Sequence, residues 1–226
     1  RIVDIDVSFV LGELEKEKKE SIFRLQEEGL FDANKRIPFP LIPKRLAIIS
    51  VETSKGLSDF YKIINNNPWG YKIETTLYPA LLQGDKSIAS IIKQMAVIAE
   101  RTDQYDAVAI IRGGGGEVGL SSYNNYHLSK AIAIFPIPVL TGIGHSTNET
   151  VSEMVAYKNA ITPSELADFL IQKFHNFAIP LDNAQKQLIL AINNLFHTER
   201  SKLQNAVQTI NWSSINNIKS EQHQIS

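Results

Sequence analysis

A single arginine followed by four glycines ends a short apolar run in this chain. Residues 110–116 read IIRGGGG, so the cation of Arg112 directly precedes the glycines. Four glycines in a row cost much conformational entropy on folding, so something must require a backbone without Cβ atoms there. Backbone N–H groups in such a loop can converge on phosphate oxygens, and an adjacent arginine adds a bidentate contact. The segment predicts an anion site; its structural alternative is a tight turn that merely tolerates glycine.

Two familiar nucleotide-binding motifs do not explain this loop. Gly114, Gly116 and Gly119 satisfy the GxGxxG pattern, but the loop follows the third predicted strand of its domain. Between Glu117 and Glu149 there is no acidic residue that could hold a ribose hydroxyl,. No Gly-Lys-Ser/Thr follows the glycines, which argues against a P-loop. The bound anion therefore belongs to a different class of site.

A histidine and an aspartate are the candidate acid-base groups. His145 follows Gly-Ile-Gly at the end of another apolar run, and an imidazole that titrates near neutrality suits proton transfer at a phosphate ester,. Asp59 lies in the first turn of the helix predicted after the first loop. Two-metal phosphodiester chemistry needs several converging carboxylates, and these loops carry few. We therefore expect no required cofactor, although a divalent cation remains possible.

Short apolar runs alternate with amphipathic segments through the middle of the chain, which predicts an α/β fold: an open, mostly parallel sheet with helices on both faces. Ligands bind such sheets at the carboxyl ends of the strands, so Asp59, Arg112 and His145 are expected at one edge. The predicted strands are 45–51, 71–79, 107–112 and 138–144, and the predicted helices between them are 56–66, 86–101 and 122–134.

The two ends of the chain read differently from this middle part. Residues 1–36 are expected to form an N-terminal strand remnant and a helix over 9–28 with a solvated charged face, and 37–178 the α/β domain,. Residues 179–226 are expected to form a long, coiled-coil-like helical extension for subunit association, with a break at Pro180. A packed helical hairpin is the alternative. The extension is marked by an apolar stripe: Leu181, Leu188, Ile192, Phe196, Leu203, Val207 and Ile210.

Composition sets outer limits on function. The 226 residues carry a net charge of −1, so any cations that bind nucleic acid must be local,. There is no cysteine, which favours a reducing compartment and hence the cytoplasm,. No apolar stretch reaches the roughly 20 residues of a membrane span, so we expect no membrane association.

Several segments together resemble a known family. LYPALLQG (77–84), IIRGGGG (110–116), FPIPVLTGIGHSTNET (135–150) and ITPSELAD (161–168), in that order and spacing, resemble the large subunit of exodeoxyribonuclease VII. EGLFDANKRIPFPLIPKRLAIIS (28–50) is similar to that family's entry into its catalytic domain. The resemblance implies hydrolysis of single-stranded DNA to short oligonucleotides, with small helical subunits bound along the arm. It also implies an N-terminal oligonucleotide-binding barrel, which this chain starts too late to contain.

The resemblance also implies which residues form the site. Its catalytic set is His145, Arg112 and Asp59, with Asn148 where the family has the closing aspartate of its histidine motif. Asn148 can accept a hydrogen bond and so orient His145, but it cannot stabilise an imidazolium by charge. Ser146 stands where that motif has a glutamate. The expected substrate contacts are Gly113, Gly114, Gly115, Gly116, Asn124 and Thr147.

The sequence therefore favours an exonuclease-type hydrolase whose partners are single-stranded DNA and a small helical subunit. Three alternatives stay open at this point. A catalytically weakened or inactive single-strand-binding or phosphate-binding module of the same fold is favoured by Asn148. A protein that binds a small phosphate or nucleotide is favoured by the near-zero net charge. A purely structural scaffold would explain the arm but not RGGGG.

Overall fold

The computed structural model describes residues 7–113, 119–144 and 149–224. Its helices are α1 (Val7–Glu27), α2 (Lys55–Asn65), α3 (Ser87–Ala99), α4 (Tyr126–Ala133), α5 (Val151–Val155) and α6 (Pro163–Gln224). Its strands are β1 (Arg45–Ser50), β2 (Glu74–Pro79), β3 (Ala107–Ile111), β4 (Val139–Gly142) and β5 (Lys158–Asn159). Short 3₁₀ turns lie at Asn34–Arg36, Thr102–Gln104 and Ser121–Asn124.

The five strands form one parallel sheet in the order β2-β1-β3-β4-β5. Each of the four predicted strands and three predicted helices is present, with ends shifted by a few residues. The α/β class with a mostly parallel sheet is therefore confirmed. The sequence reading missed α5 and β5, which are only five and two residues long.

Alternating side chains of the central strands build a core on each face of the sheet. Along β1, Ala47 and Ile49 pack into one core, whereas Leu46 and Ile48 pack into the other. Helices α3 and α4 cover the first face, and α2 and the start of α6 cover the second. Because both faces are covered, the central strands are mostly apolar, as expected for a parallel sheet,.

The strand order places a topological switch point between β1 and β3. The chain leaves β1 toward β2 on one side and returns to β3 on the other side. The loops after β1 and β3 therefore diverge, and a crevice opens between them at the carboxyl ends of the strands. This crevice is where the site is expected.

A buried asparagine ties the N-terminal segment to the sheet. The Asn34 side chain donates to the carbonyls of Phe135 and Ile137, at 3.2 Å each, and accepts from Val139 N at 2.8 Å. Leu25 of α1 is likewise fully buried in the core. The charged run at 15–20 remains mostly exposed, as its pattern predicts.

The long C-terminal helix contradicts the predicted break at Pro180. Helix α6 runs from Pro163 to Gln224 and contains Pro180 in its interior. Proline removes one helical hydrogen bond and typically costs about 3 kcal/mol or more in a helix interior. Pro180 is exposed here, so water can solvate the affected backbone, and long helical segments on both sides keep the geometry,.

The chain divides into two compact units, residues 1–175 and 176–226. The first holds the sheet and all the pockets discussed below. The second is helical and carries exposed apolar side chains, among them Leu188, Leu195 and Phe196. Within the part of the chain that the structure describes, no helix is long and apolar enough to span a bilayer.

Candidate functional site

Two pockets lie at the switch-point crevice, and a third, which shares lining residues with one of them, extends between α2 and α6. The arginine pocket, of about 270 Å³, is lined by Val51, Ser54, Leu81, Leu82, Gln83, Arg112 and Gly113. The central pocket, of about 350 Å³, is lined by Lys55, Gly56, Asp59, Arg112, Gly113, Ile143, Gly144, Thr162, Pro163 and Ser164. The tryptophan pocket, of about 500 Å³, is lined by Asp59, Lys62, Ile63, Asn66, Asn67, Pro68, Trp69, Ser164, Asp168 and Ile171.

Shared residues connect the three pockets. Arg112 and Gly113 line both the arginine pocket and the central pocket, and Asp59 and Ser164 line both the central pocket and the tryptophan pocket. Two of the sequence-predicted catalytic residues, Asp59 and Arg112, thus meet at the central pocket.

Arg112 is held at the end of the most buried strand. Its backbone N donates to Gly142 O at 3.1 Å, which continues the pairing of β3 with β4, and the residue is only 3 % exposed. With the Gln83 amide turned so that its oxygen faces the guanidinium, that oxygen accepts from Arg112 Nε at 3.3 Å and from Nη2 at 3.2 Å,. This contact fixes the orientation of the guanidinium, a planar group whose geometry matches oxyanions,.

Packing alone requires that Gly113, the first glycine of RGGGG, has no Cβ. A Cβ on Gly113 would lie 2.0 Å from Gly56 N and 2.6 Å from Ser54 Oγ. A Cβ on Gly56 would in turn lie 2.6 Å from Gly113 Cα. The glycine pair therefore lets the N-terminus of α2 approach the backbone at the end of β3, which the sequence reading did not anticipate.

Two helix N-termini meet at the central pocket. Ser54 caps α2 by accepting from Leu57 N at 3.4 Å, and Thr162 Oγ1 accepts from Glu165 N at 3.1 Å at the start of α6. Helix N-termini present unsatisfied N–H groups and a partial positive charge. With the cations of Lys55 and Arg112 on the same lining, the pocket is suited to an anion such as a phosphodiester.

Among the described residues that line the central pocket, Asp59 is the one carboxylate. It lies on α2, roughly one turn after Lys55, and its side chain is exposed to the cleft. An exposed carboxylate beside an anion site would repel a phosphate that came too close, but it can orient a water molecule or an imidazole. Its position between the central pocket and the tryptophan pocket fits such a role.

Several predicted site residues lie outside the described residues, namely Gly114, Gly115, Gly116, His145, Thr147 and Asn148. The residues that flank them do lie at the site. Gly113 and Gly144 line the central pocket, and Gly119 lies beside Gln83, where an added Cβ would be 3.5 Å from Gln83 Cγ. Gly144 adopts φ +86°, a left-handed turn that glycine tolerates well, directly before His145,.

Asn124, expected to contact substrate, has a structural contact. Its side-chain oxygen accepts from Val151 N at 3.1 Å, at the start of α5, and it is not among the residues that line the three pockets. The structure therefore links Asn124 to the segment that follows the histidine motif.

Glu153 is buried in a capping box rather than placed in the cleft. Its carboxylate accepts from Thr150 N and Thr150 Oγ1, both at 2.7 Å, and Glu153 N donates to Thr150 Oγ1 at 3.4 Å. Burial raises the pKa of Glu153, and the hydrogen bonds from Thr150 oppose that rise. Glu149, the neighbouring acid, accepts from Asn159 Nδ2 at 3.1 Å.

A buried tyrosine that the sequence reading left unassigned supports the arginine. The hydroxyl of Tyr123 donates to Leu82 O at 3.2 Å, next to Gln83. Burial raises the pKa of Tyr123, which nearby Arg112 partly offsets, so the phenol stays protonated and donates. Only the three-dimensional fold brings residues 41 positions apart into this contact.

Among the described residues, no group of three His, Asp or Glu side chains is close enough together to hold a metal ion. Glu117 and His145 lie outside those residues. The expectation that no cofactor is required therefore stays a prediction.

Comparison with known proteins gives one family. Residues 30–226 match the family model described as exonuclease VII, large subunit. Curated relatives named "Exodeoxyribonuclease 7 large subunit" include those of Rhodopirellula baltica, 31 % identical over 80 % of this chain, and Xylella fastidiosa strain 9a5c, 31 % identical over 87 %. The relative from Lactobacillus helveticus is 29 % identical over 85 % of the chain.

The chain spans less than half the length of each of these relatives, with 41–43 % of their residues covered. The matched region includes the whole sheet and the cleft at its edge. The chain belongs to the exonuclease VII large-subunit family.

Proposed function

We propose that the cleft hydrolyses phosphodiester bonds of single-stranded DNA to short oligonucleotides, as part of the large subunit of a two-subunit exodeoxyribonuclease. The observation that carries this proposal is the meeting of Arg112, Asp59 and two helix N-termini at the central pocket. The relatives' printed names support the same chemistry.

In this proposal the central pocket binds the scissile phosphate. The Arg112 fork, Lys55 and the N–H groups at the start of α2 contact its oxygens and stabilise the charge that develops on them as water attacks phosphorus. Preorganised donors of this kind need no rearrangement during the reaction. Gln83 and Tyr123 contribute by fixing the guanidinium and the loop beside it.

His145 transfers protons in this proposal, and Asp59 assists it. As general base, the imidazole takes a proton from the attacking water; as general acid, it gives one to the departing sugar oxygen. Asp59 orients the water or the imidazole. Asn148 orients His145 by accepting a hydrogen bond. The glycine amides of residues 113–116, with Thr147, hold further phosphate oxygens, and a divalent cation is not required.

The helical unit 176–226 is proposed to bind a small helical subunit through its apolar stripe. Leu188, Phe196 and Leu203 are 62 %, 69 % and 68 % exposed, and they lie at the positions predicted for the stripe. Large apolar side chains exposed along one helix commonly mark a protein interface.

The test is cleavage of end-labelled single-stranded DNA by the full-length protein with its small subunit, with and without chelator. We expect His145→Ala to reduce the rate by about 10²- to 10⁴-fold, because a positioned acid-base group contributes about that much. Activity should persist in chelator. A His145→Ala protein that cuts at the wild-type rate would refute the role given to this residue.

Asn148 favours a second candidate function: binding of single strands without hydrolysis. An amide there lacks the charge that would stabilise an imidazolium. This candidate predicts that the wild-type complex binds labelled oligonucleotide without cutting it and that Asn148→Asp leaves this unchanged. Our proposal predicts cutting by the wild type.

A further inference from the structure

The exposed indole of Trp69 lines the tryptophan pocket, which shares Asp59 and Ser164 with the central pocket, and it has no role in the chemistry described so far. Trp69 is 53 % exposed and lines the tryptophan pocket. Single-strand-binding proteins use such rings as platforms on which bases stack.

Neighbouring rings hold this indole in place. The His175 ring meets Trp69 edge-on, with centroids 4.0 Å apart, and the Tyr71 ring lies 6.3 Å away at an interplanar angle of 20°. Tyr71 also stacks on Phe174 with centroids 5.2 Å apart, and its hydroxyl lies 3.1 Å from His175 Nδ1. The indole is thus supported from within the fold and keeps part of its surface toward the pocket.

The loop that carries Trp69 is also fixed. The Asn67 side chain donates to the carbonyls of Ile64 at 2.8 Å and of Tyr71 at 2.7 Å, and accepts from Tyr71 N at 2.9 Å. These bonds close the turn on which Trp69 stands. Because the ring is already ordered, little side-chain entropy is lost when a ligand stacks on it.

The tryptophan pocket and the central pocket differ in charge, so each favours a different part of a nucleotide. The tryptophan pocket carries the carboxylates of Asp59 and Asp168 against the single ammonium of Lys62. The central pocket carries Arg112, Lys55 and two helix N-termini. A phosphodiester is therefore favoured in the central pocket, and a neutral base in the tryptophan pocket.

Size and continuity agree with this division. The volume of about 500 Å³ lies within the range of about 300–1,000 Å³ that is usual for small-molecule sites,. Asp59 and Ser164 line both pockets, so a strand whose phosphate occupies the central pocket can extend into the tryptophan pocket and place a base there.

We infer that Trp69 is a stacking platform for a nucleobase of the strand whose phosphate binds in the central pocket. The inference rests on the proposed function, since it takes single-stranded DNA as the substrate. Stacking is tolerant of sequence because every base has a π face. The site therefore binds thymine and adenine alike, and it contributes to strand affinity rather than to the bond-breaking step.

The experiment compares the full-length protein with its small subunit in four forms: wild type, Trp69→Ala, Trp69→Phe and Phe23→Ala. Phe23 is a matched control, an aromatic side chain 59 % exposed on α1 and away from the three pockets. Affinity is measured by fluorescence anisotropy with a phosphorothioate thymidine oligonucleotide, which resists hydrolysis. Cleavage of the ordinary oligonucleotide gives KM and kcat separately.

We expect Trp69→Ala to weaken affinity and raise KM by about 5- to 150-fold with kcat unchanged, the range given by loss of one base–aromatic stack. Trp69→Phe keeps a ring and should retain most of the affinity, and Phe23→Ala should match the wild type. An oligonucleotide with abasic positions should bind the wild type more weakly than the intact strand does, and this preference for the intact strand should be smaller in Trp69→Ala.

Wild-type affinity in Trp69→Ala, or an equal loss in Trp69→Phe and Trp69→Ala, would overturn the inference. Undiminished preference of Trp69→Ala for intact over abasic DNA would do the same. If no form cleaves DNA, the proposed function fails, and the anisotropy arm still decides the role of Trp69. If the wild type cleaves and Trp69→Ala behaves identically, only the stacking inference fails.

Discussion

At the scale of single residues, the polar groups behind the cleft are fixed by contacts that leave little freedom. Arg112 is buried with Gln83 beside it, and Tyr123 donates to Leu82 next to that glutamine. Buried hydrogen-bonded groups of this kind hold a functional side chain in one orientation. The catalytic arginine of the proposal thus depends on residues that never touch the substrate.

Glu153 offers a residue-scale prediction with a defined pH dependence. Burial raises the pKa of its carboxyl, so between its unfolded and folded pKa values the folded state binds more protons than the unfolded state,. Stability contributed by this group therefore falls as pH rises through that window. Glu153→Gln keeps an oxygen that can accept from Thr150 and removes the charge.

We expect Glu153→Gln to unfold at a temperature equal to or above that of the wild type at pH 7. The two proteins should converge at pH values near or below about 4, where an ordinary glutamate is largely protonated. Glu153→Ala should lose about 0.5–2 kcal/mol because the capping box is broken. Thermal unfolding followed by circular dichroism tests this, and a Glu153→Gln protein markedly less stable than wild type at pH 7 would contradict it.

At the scale of elements, the close approach of α2 to the end of β3 builds the central pocket. Gly56 on the helix and Gly113 on the loop lie so near each other that neither position accommodates a Cβ without movement of the backbone. The same approach brings the α2 N-terminus and Asp59 beside Arg112. Packing and anion binding therefore impose the same requirement on the first glycine.

Gly113→Ala should consequently damage both stability and activity. Overpacking of this kind typically lowers the free energy of unfolding by about 1–3 kcal/mol. The added Cβ can be accommodated only if α2 shifts away from the pocket. Gly29→Ala is the matched control, because Gly29 has open space for a Cβ and does not line the three pockets. Its substitution is costly only because its φ is +67°,.

Urea denaturation and DNA cleavage of both variants test this prediction. We expect Gly29→Ala to lose about 1–2 kcal/mol and to cleave normally. Gly113→Ala should cleave far more slowly even under conditions in which it is folded. Wild-type cleavage by folded Gly113→Ala would show that α2 does not need this close approach.

The elements also show what could be predicted from the sequence. Apolar runs such as 45–51 and 107–112 identified the central strands, because a parallel sheet is buried on both faces,. β5 was not predicted because it consists of Lys158 and Asn159, neither of which is apolar. The break expected at Pro180 was wrong, because an exposed proline can be accommodated inside a long helix.

For the site, the strand-end rule predicted that Asp59 and Arg112 would face one crevice, and the structure brings both to the central pocket. The rule says nothing about groups supplied by other loops. Gln83 and Trp69 lie 29 or more residues before Arg112 in the sequence. Tyr123 lies beyond the glycine-rich stretch, in a segment without periodicity. Their roles depend on contacts that only the fold creates.

At the scale of the whole molecule, a net charge of −1 is compatible with the proposed DNA substrate because cations line the pocket that would bind the phosphate. Arg112, Lys55 and two helix N-termini surround the central pocket. The helical unit 176–226 supplies a separate apolar surface, suited to a protein partner. In the proposed function, strand cutting and subunit association therefore belong to different units of the chain.

The most direct test of the central claim is the single-turnover rate at which the full-length protein with its small subunit cleaves labelled single-stranded DNA when Arg112 is replaced by lysine. Arg101→Lys is the matched control, because Arg101 is exposed and precedes β3, at the opposite edge of the sheet. Lysine keeps the charge but lacks the planar fork.

We expect Arg112→Lys to cleave about 10²- to 10³-fold more slowly than the wild type, the loss typical for removing one preorganised oxyanion donor. Arg101→Lys should cleave normally. Thermal unfolding of both variants establishes that they are folded. Cleavage by Arg112→Lys at the wild-type rate would contradict the claim that this pocket carries out the hydrolysis.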